Sequence, residues 1–161
     1  MSGARLRLAL PDEAATLSAG ARLARALREV PEASRVPLVV FLSGPLGAGK
    51  TTFVRGALRE LGIAGAIRSP SYTLVEEYVA GGWDVLHLDL YRLAGADDLA
   101  ELGLRDRHRG ATVFLVEWPE RAPGALPADL ALEFALRSDG HHLVGDGRTS
   151  QGGRLLASLA E

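Results

Sequence analysis

The sequence predicts a three-layer α/β fold, with a mixed, mainly central sheet flanked by helices. Three observations carry that expectation. A short apolar, β-branched-rich run, Val36-Pro37-Leu38-Val39-Val40-Phe41-Leu42, leads through a glycine-rich turn into a segment with helical spacing. Strand-length apolar runs and helix-periodic segments then alternate along the chain. Two of the runs are separated only by Ala80-Gly81-Gly82 and read as an antiparallel hairpin, which makes the sheet mixed.

Taken in order, the start of the chain alternates up to Leu10 and meets Pro11-Asp12-Glu13, so it reads as a strand rather than a signal peptide. Asp12 is the expected N-cap of a helix whose face is Leu17, Ala21, Ala24, Leu27 and Val30, ended by Pro31. After the buried strand, Phe53, Val54, Ala57, Leu58 and Leu61 recur at spacings of three and four, and Gly62 stands at the C-cap. The hairpin strands are Tyr72 to Val79 and Trp83 to Leu90. A short helix is expected over Asp97 to Leu104, and a second fully apolar strand over Val113 to Val116, ending at Glu117-Trp118-Pro119. Leu130 to Leu136 alternates as a half-exposed strand, His141 to Gly145 is a weaker strand, and Gly153 to Ala160 closes as a helix.

With 161 residues, the chain suits one domain over 1–161 with a real core, and its 47% hydrophobic and 24% charged residues are ordinary for a globular protein. The longest apolar run is too short to span a bilayer, and a cytoplasmic protein without a membrane role is expected. Zero cysteines exclude disulfides, thiolate catalysis and cysteine-ligated zinc. The four histidines, His87, His108, His141 and His142, lack transition-metal spacing. A net charge of −2 argues against gripping nucleic acid unaided, so a role toward RNA would run through a partner.

The chemistry concentrates in Gly44-Pro45-Leu46-Gly47-Ala48-Gly49-Lys50-Thr51, which fits G-x-x-x-x-G-K-[ST] at every fixed position. Glycines let backbone N–H groups turn inward toward phosphate, and the following helix N-terminus adds its dipole. Lys50 is the only lysine in the chain; the other basic residues are arginine. A compact ammonium reaches between phosphates where a planar guanidinium fits poorly. Lys50 is thus assigned to phosphate and the Thr51 hydroxyl to Mg²⁺. Guanine-specific hydrolases read their base through an Asn/Thr-Lys-x-Asp element, which this chain has no second lysine to supply, so ATP is favoured.

A Mg²⁺-nucleotide site also needs a carboxylate at the end of a buried strand beside the loop. Asp89 and Glu117 are the candidates; period two places His87, Asp89 and Tyr91 on one face of their strand and Leu86, Leu88 and Leu90 on the other. Ser69-Pro70-Ser71-Tyr72-Thr73 stands where nucleotide hydrolases keep a segment that senses the γ-phosphate. The cluster Arg105-Asp106-Arg107-His108-Arg109 reads either as a kinase-like lid or as a solvated basic face. Three readings remain open on the residues alone: an ATPase subunit, a small-molecule kinase, and a nucleotide-gated assembly module for which binding matters and hydrolysis does not.

Several blocks occur in order: Leu10-Pro11-Asp12-Glu13, Gly47-Ala48-Gly49-Lys50-Thr51-Thr52-Phe53, Ser69-Pro70-Ser71-Tyr72-Thr73-Leu74-Val75-Glu76, His87-Leu88-Asp89-Leu90-Tyr91-Arg92-Leu93 and Leu115-Val116-Glu117-Trp118-Pro119. With them the chain resembles the TsaE (YjeE) family of bacterial tRNA threonylcarbamoyladenosine synthesis over nearly its whole length. The resemblance implies a P-loop NTPase-like fold and a weak Mg²⁺-dependent ATPase that acts with the TsaD–TsaB pair and meets tRNA only indirectly. It further implies that Leu46, Gly47, Ala48, Gly49, Lys50 and Thr51 bind ATP phosphates, that Thr51 and Glu117 serve Mg²⁺, that Lys50, Asp89 and Glu117 are the catalytic set, and that Glu13 lies near the nucleotide. Pro45 and Ser71 depart from the family's usual Asp and Thr while retaining backbone amides and a hydroxyl. His141-His142 stand where relatives can carry an arginine near the nucleotide.

Overall fold

A computed structural model of the chain describes residues 3–67, 70, 73–93 and 103–161. Seven strands form one sheet: β1 (Ala4–Leu10), β2 (Leu38–Ser43), β3 (Val75–Ala80), β4 (Trp83–Asp89), β5 (Thr112–Glu117), β6 (Leu130–Arg137) and β7 (Gly140–Gly147). Their spatial order is β1-β7-β6-β2-β5-β4-β3. The central strands β6, β2, β5 and β4 run parallel, and antiparallel pairs β1–β7, β6–β7 and β3–β4 extend both flanks. The sheet is mixed, as the hairpin predicts.

The helices are α1 (Glu13–Glu29), α2 (Lys50–Leu61), the single turn α3 (Leu104–Arg107) and α4 (Ser150–Leu159), with 3₁₀ turns at Glu32–Ser34 and Pro119–Arg121. Asp12 caps α1 by accepting from the Ala15 N–H at 2.8 Å, the role its position before the apolar periodicity predicts. Gly62 closes α2 in the left-handed conformation, with φ 105°. The N-terminal part of the expected helix Asp97–Leu104, residues 97–102, lies outside the described residues; Leu104 instead begins α3.

One face of the sheet carries Val40, Leu42, Val113, Leu115, Leu132 and Phe134 against α1, α2 and α4. The opposite face carries Val39, Leu86, Leu88, Phe114 and Val116, covered by Leu90, Leu93, Leu104 and Leu126. β5 is buried along its whole length, as a central parallel strand packed on both faces must be.

α1 and α2 approach closely because glycines leave room. A Cβ on Gly20 would stand 2.0 Å from the Phe53 carbonyl oxygen, and one on Gly56 would stand 2.2 Å from that of Leu17. This contact sets the phase of α1. Its buried residues are Thr16, Ala19, Gly20, Leu23, Ala24 and Leu27, so the expected face is rotated: Leu17 and Ala21 are only partly covered. The rotation carries Asp12, Glu13 and Thr16 to the rim above the loop that precedes α2.

Candidate nucleotide-binding site

The register of the parallel strands brings the chemistry together. Leu42 pairs with Glu117, and Glu117 pairs with Asp89, so the turn after β2 and the last residues of β5 and β4 share one edge of the sheet. That edge is where ligands bind in open α/β sheets. A cleft of about 460 Å³ opens there, and its lining includes Glu13, Leu46, Gly47, Gly49, Lys50, Thr51, Asp89 and Glu117. All but Ala48 of the residues expected to contact nucleotide or metal line it; Ala48 is fully buried beneath the loop.

The loop between β2 and α2 has the backbone its glycines allow. Gly44 holds φ 132°, and a Cβ there would stand 2.3 Å from the Phe134 carbonyl oxygen, so a larger residue would be both strained and blocked. Gly47 and Gly49 also hold positive φ, at 78° and 106°, with open space around Gly47. Pro45 accepts this geometry: its carbonyl takes the Ala48 N–H at 3.2 Å, forming the turn.

Lys50 begins α2 with only 4% of its surface exposed. Its Nζ donates to the Gly44 carbonyl and lies 3.6 Å from the centroid of the Trp118 ring. Burial holds its ammonium below the ordinary lysine range, opposed by the carboxylates of Glu117, Glu120 and Asp89. Trp118, the residue after β5, takes a left-handed conformation with φ 59°, and its ring packs on Tyr91 at 4.9 Å between centroids. Arg121 in turn lies 5.4 Å over Tyr91. No motif in the sequence marks this aromatic wall; Trp118 stands there only within the strand-end block Leu115-Val116-Glu117-Trp118-Pro119.

The Thr51 hydroxyl faces both oxygens of Glu117, at 3.2 and 3.3 Å. Glu117 is 3% exposed, and its Oε2 also meets His87 Nε2 at 2.6 Å. Asp89 is less enclosed; its Oδ1 accepts the Tyr91 N–H at 3.0 Å. Among the described residues no group of three or more His, Asp or Glu could hold a metal on its own. A Mg²⁺ held with a nucleotide takes a hydroxyl, one or two carboxylates, water and phosphate oxygens, and Thr51 and Glu117 carry the first two kinds of donor. A glycine loop with positive φ at three positions, a buried ammonium and a Thr–Glu pair on one rim fit a Mg²⁺-nucleotide.

Glu13 lies at the mouth, largely exposed, with Arg55 Nη1 4.0 Å from its carboxylate. His141 lines the same cleft, while His142 points elsewhere and meets Asp139 at 2.9 Å. In the expected switch segment, Ser69, Ser71 and Tyr72 lie outside the described residues. Its described end is tied to the site: the Leu74 N–H donates to the Pro70 carbonyl at 2.9 Å, and the Asp89 N–H donates to the Leu74 carbonyl at 3.0 Å. The basic cluster 105–109 contributes nothing to the cleft lining. Arg107 pairs with Glu77, and His108 stacks on Phe114 over the other face of the sheet. No helix among the described residues is long and apolar enough to cross a membrane.

Comparison with known proteins identifies the family and agrees with the fold. Residues 10–145 match the family model described as threonylcarbamoyl adenosine biosynthesis protein TsaE. The chain is 36% identical over 152 residues to the tRNA threonylcarbamoyladenosine biosynthesis protein TsaE of Haemophilus influenzae, covering 94% of this chain and 95% of that one. It is 40% identical over 130 residues to the protein of the same name from Streptomyces coelicolor, covering 79% of each. Its fold superposes on the crystal structure of Bacillus subtilis YdiB with a TM-score of 0.74 and 25% identity, over 99% of this chain and 97% of that one. A glycine-rich loop at the centre of a mixed seven-stranded sheet, with a family match across most of the chain, leaves one assignment: the chain belongs to the TsaE family.

Proposed function

We propose that this protein is the ATP-binding and ATP-hydrolysing subunit of tRNA threonylcarbamoyladenosine formation, acting in the cytoplasm on a complex of TsaD and TsaB homologues. The observation that carries the reading is the Thr51–Glu117 pair, 3.2 and 3.3 Å apart, at the rim of the glycine loop in a chain of the TsaE family. Backbone amides from Leu46 to Thr51 bind the phosphates, and Lys50 leaves the Trp118 ring to neutralise them. Thr51 and Glu117 would hold Mg²⁺, which would supply charge neutralisation at the phosphates. Asp89, the less constrained carboxylate, orients the attacking water or takes its proton. Glu13, at the mouth of the cleft, would lie near the nucleotide. A net charge of −2 fits contact with tRNA through the partners alone.

The test is reconstitution of tRNA modification over several turnovers with wild type or Lys50→Ala. Wild type is expected to sustain modification with ATP consumption, and Lys50→Ala to stop after the partners' first round. Undiminished multiple-turnover modification by Lys50→Ala would overturn the reading. The basic cluster's position away from the cleft gives a kinase reading no structural support.

A further inference from the structure

His87 is fully buried in β4, among the largely apolar residues that face α1 and α2. A buried imidazole needs partners for its polar atoms. Here Nε2 lies 2.6 Å from Glu117 Oε2, whereas Nδ1 is buried with no partner among the described residues. An unpaired lone pair costs less than an unpaired N–H, so the proton belongs on Nε2, which donates to the carboxylate. The strand register fixes this arrangement: His87 pairs with Leu115, two residues before Glu117, and period two turns both side chains to the same face.

Glu117 therefore has contacts on two sides. The Thr51 hydroxyl faces it from the rim, and His87 holds Oε2 from inside the protein. A free glutamate side chain would sample several rotamers, and ordering one on a metal costs rotamer entropy. A donor that grips the oxygen turned inward removes much of that freedom beforehand and leaves the remaining lone pairs aimed at the rim. Groups behind metal ligands act in this way, orienting them and tuning their basicity.

We propose that His87 is a positioning residue: its Nε2–H presets the Glu117 carboxylate for Mg²⁺ without touching metal or nucleotide. This rests on the reading of Thr51 and Glu117 as the metal-facing pair. The test compares His87→Met, which keeps bulk but removes the donor, with His87→Gln, whose amide reaches the place of Nε2. Binding of a fluorescent ADP analogue is titrated with Mg²⁺ and repeated in EDTA, and thermal unfolding checks that each variant is folded.

In His87→Met the Mg²⁺ needed for half-maximal enhancement of binding is expected to rise about 10–100-fold, the usual effect of losing a group behind a metal ligand. Affinity in EDTA is expected to stay within about twofold, and His87→Gln to recover most of the Mg²⁺ response. A merely structural role would weaken binding equally with and without Mg²⁺. Equal weakening, an unchanged Mg²⁺ requirement in folded His87→Met, or a His87→Gln as impaired as His87→Met would each overturn the proposal. If His87→Met does not fold, His87→Asn, whose amide is too short to reach Glu117, takes its place under the same criteria. If wild type itself shows no Mg²⁺ effect, the metal reading of the site falls and the role of His87 with it.

Discussion

The ends of β4 and β5 are neighbours in register, each carrying a carboxylate at the same edge of the sheet, but the two carboxylates stand in different surroundings. Glu117 is enclosed, held by His87 behind and facing Thr51 in front. Asp89 is half-buried, and the bond described for its side chain is to the Tyr91 backbone two residues on. Enclosure fixes an oxygen in place, which suits a group that must present itself to a metal before the nucleotide arrives. Looser tethering leaves an oxygen free to meet a water molecule. The two roles proposed above follow this difference in burial.

The sharpest way to break this comparison is to neutralise each carboxylate in turn. Asp89→Asn is expected to lower partner-stimulated ATP turnover by about 100–1,000-fold, the scale of a lost general base, while Mg²⁺-nucleotide affinity stays near wild type. Equal loss in affinity would merge the two roles. Glu117→Gln is expected to raise the Mg²⁺ requirement for nucleotide binding by about 100-fold, equivalent to losing about 3 kcal/mol of charge-assisted contact. A variant with a normal Mg²⁺ titration and slow turnover would reverse the assignment.

Stability offers a smaller contrast. Glu117→Ala strands both nitrogens of His87 in the interior, so urea unfolding is expected to show a loss of about 1–3 kcal/mol, partly offset where burying the charge was itself costly. Asp89→Ala removes a single bond near the surface and is expected to cost less than about 1 kcal/mol. Reversed magnitudes would mean that the enclosure of Glu117 is strained rather than supportive.

The strand–loop–helix unit around Lys50 was legible because glycine placement, apolar runs and helical spacing all agree there. The two strand-end carboxylates were legible for the same reason. Other features depend on tertiary contacts that leave no local mark. The face of α1 turns on Gly20 meeting the Phe53 carbonyl, so counting apolar residues selected Leu17 and Ala21 instead. α4 starts at Ser150 rather than Gly153, since Gly152 and Gly153 weaken the helical signal; Thr149 supplies the cap, and Gly152 is needed because its Cα lies against the Asp129 carbonyl.

β3 begins at Val75 rather than Tyr72, with Leu74 just before it at φ 66°. β7 runs from Gly140 to Gly147, longer than the expected His141–Gly145, because pairing on both sides by β1 and β6 extends a strand of weak propensity. In the site, period two already placed His87 on the face of Asp89, but its partner lay 30 positions away on another strand. Trp118 and His141 reach the cleft through a left-handed turn and an antiparallel flank that no motif encodes.

Lys50 also gives this chain an unusual handle. Apart from the terminal amine, amine-directed reagents have a single target, and an indole and a carbonyl oxygen cover it. Acylation can proceed only in the moments when the ammonium leaves that shelter. The rate of labelling therefore counts departures of one side chain, and its change with nucleotide or partner would time the loop without any engineered probe.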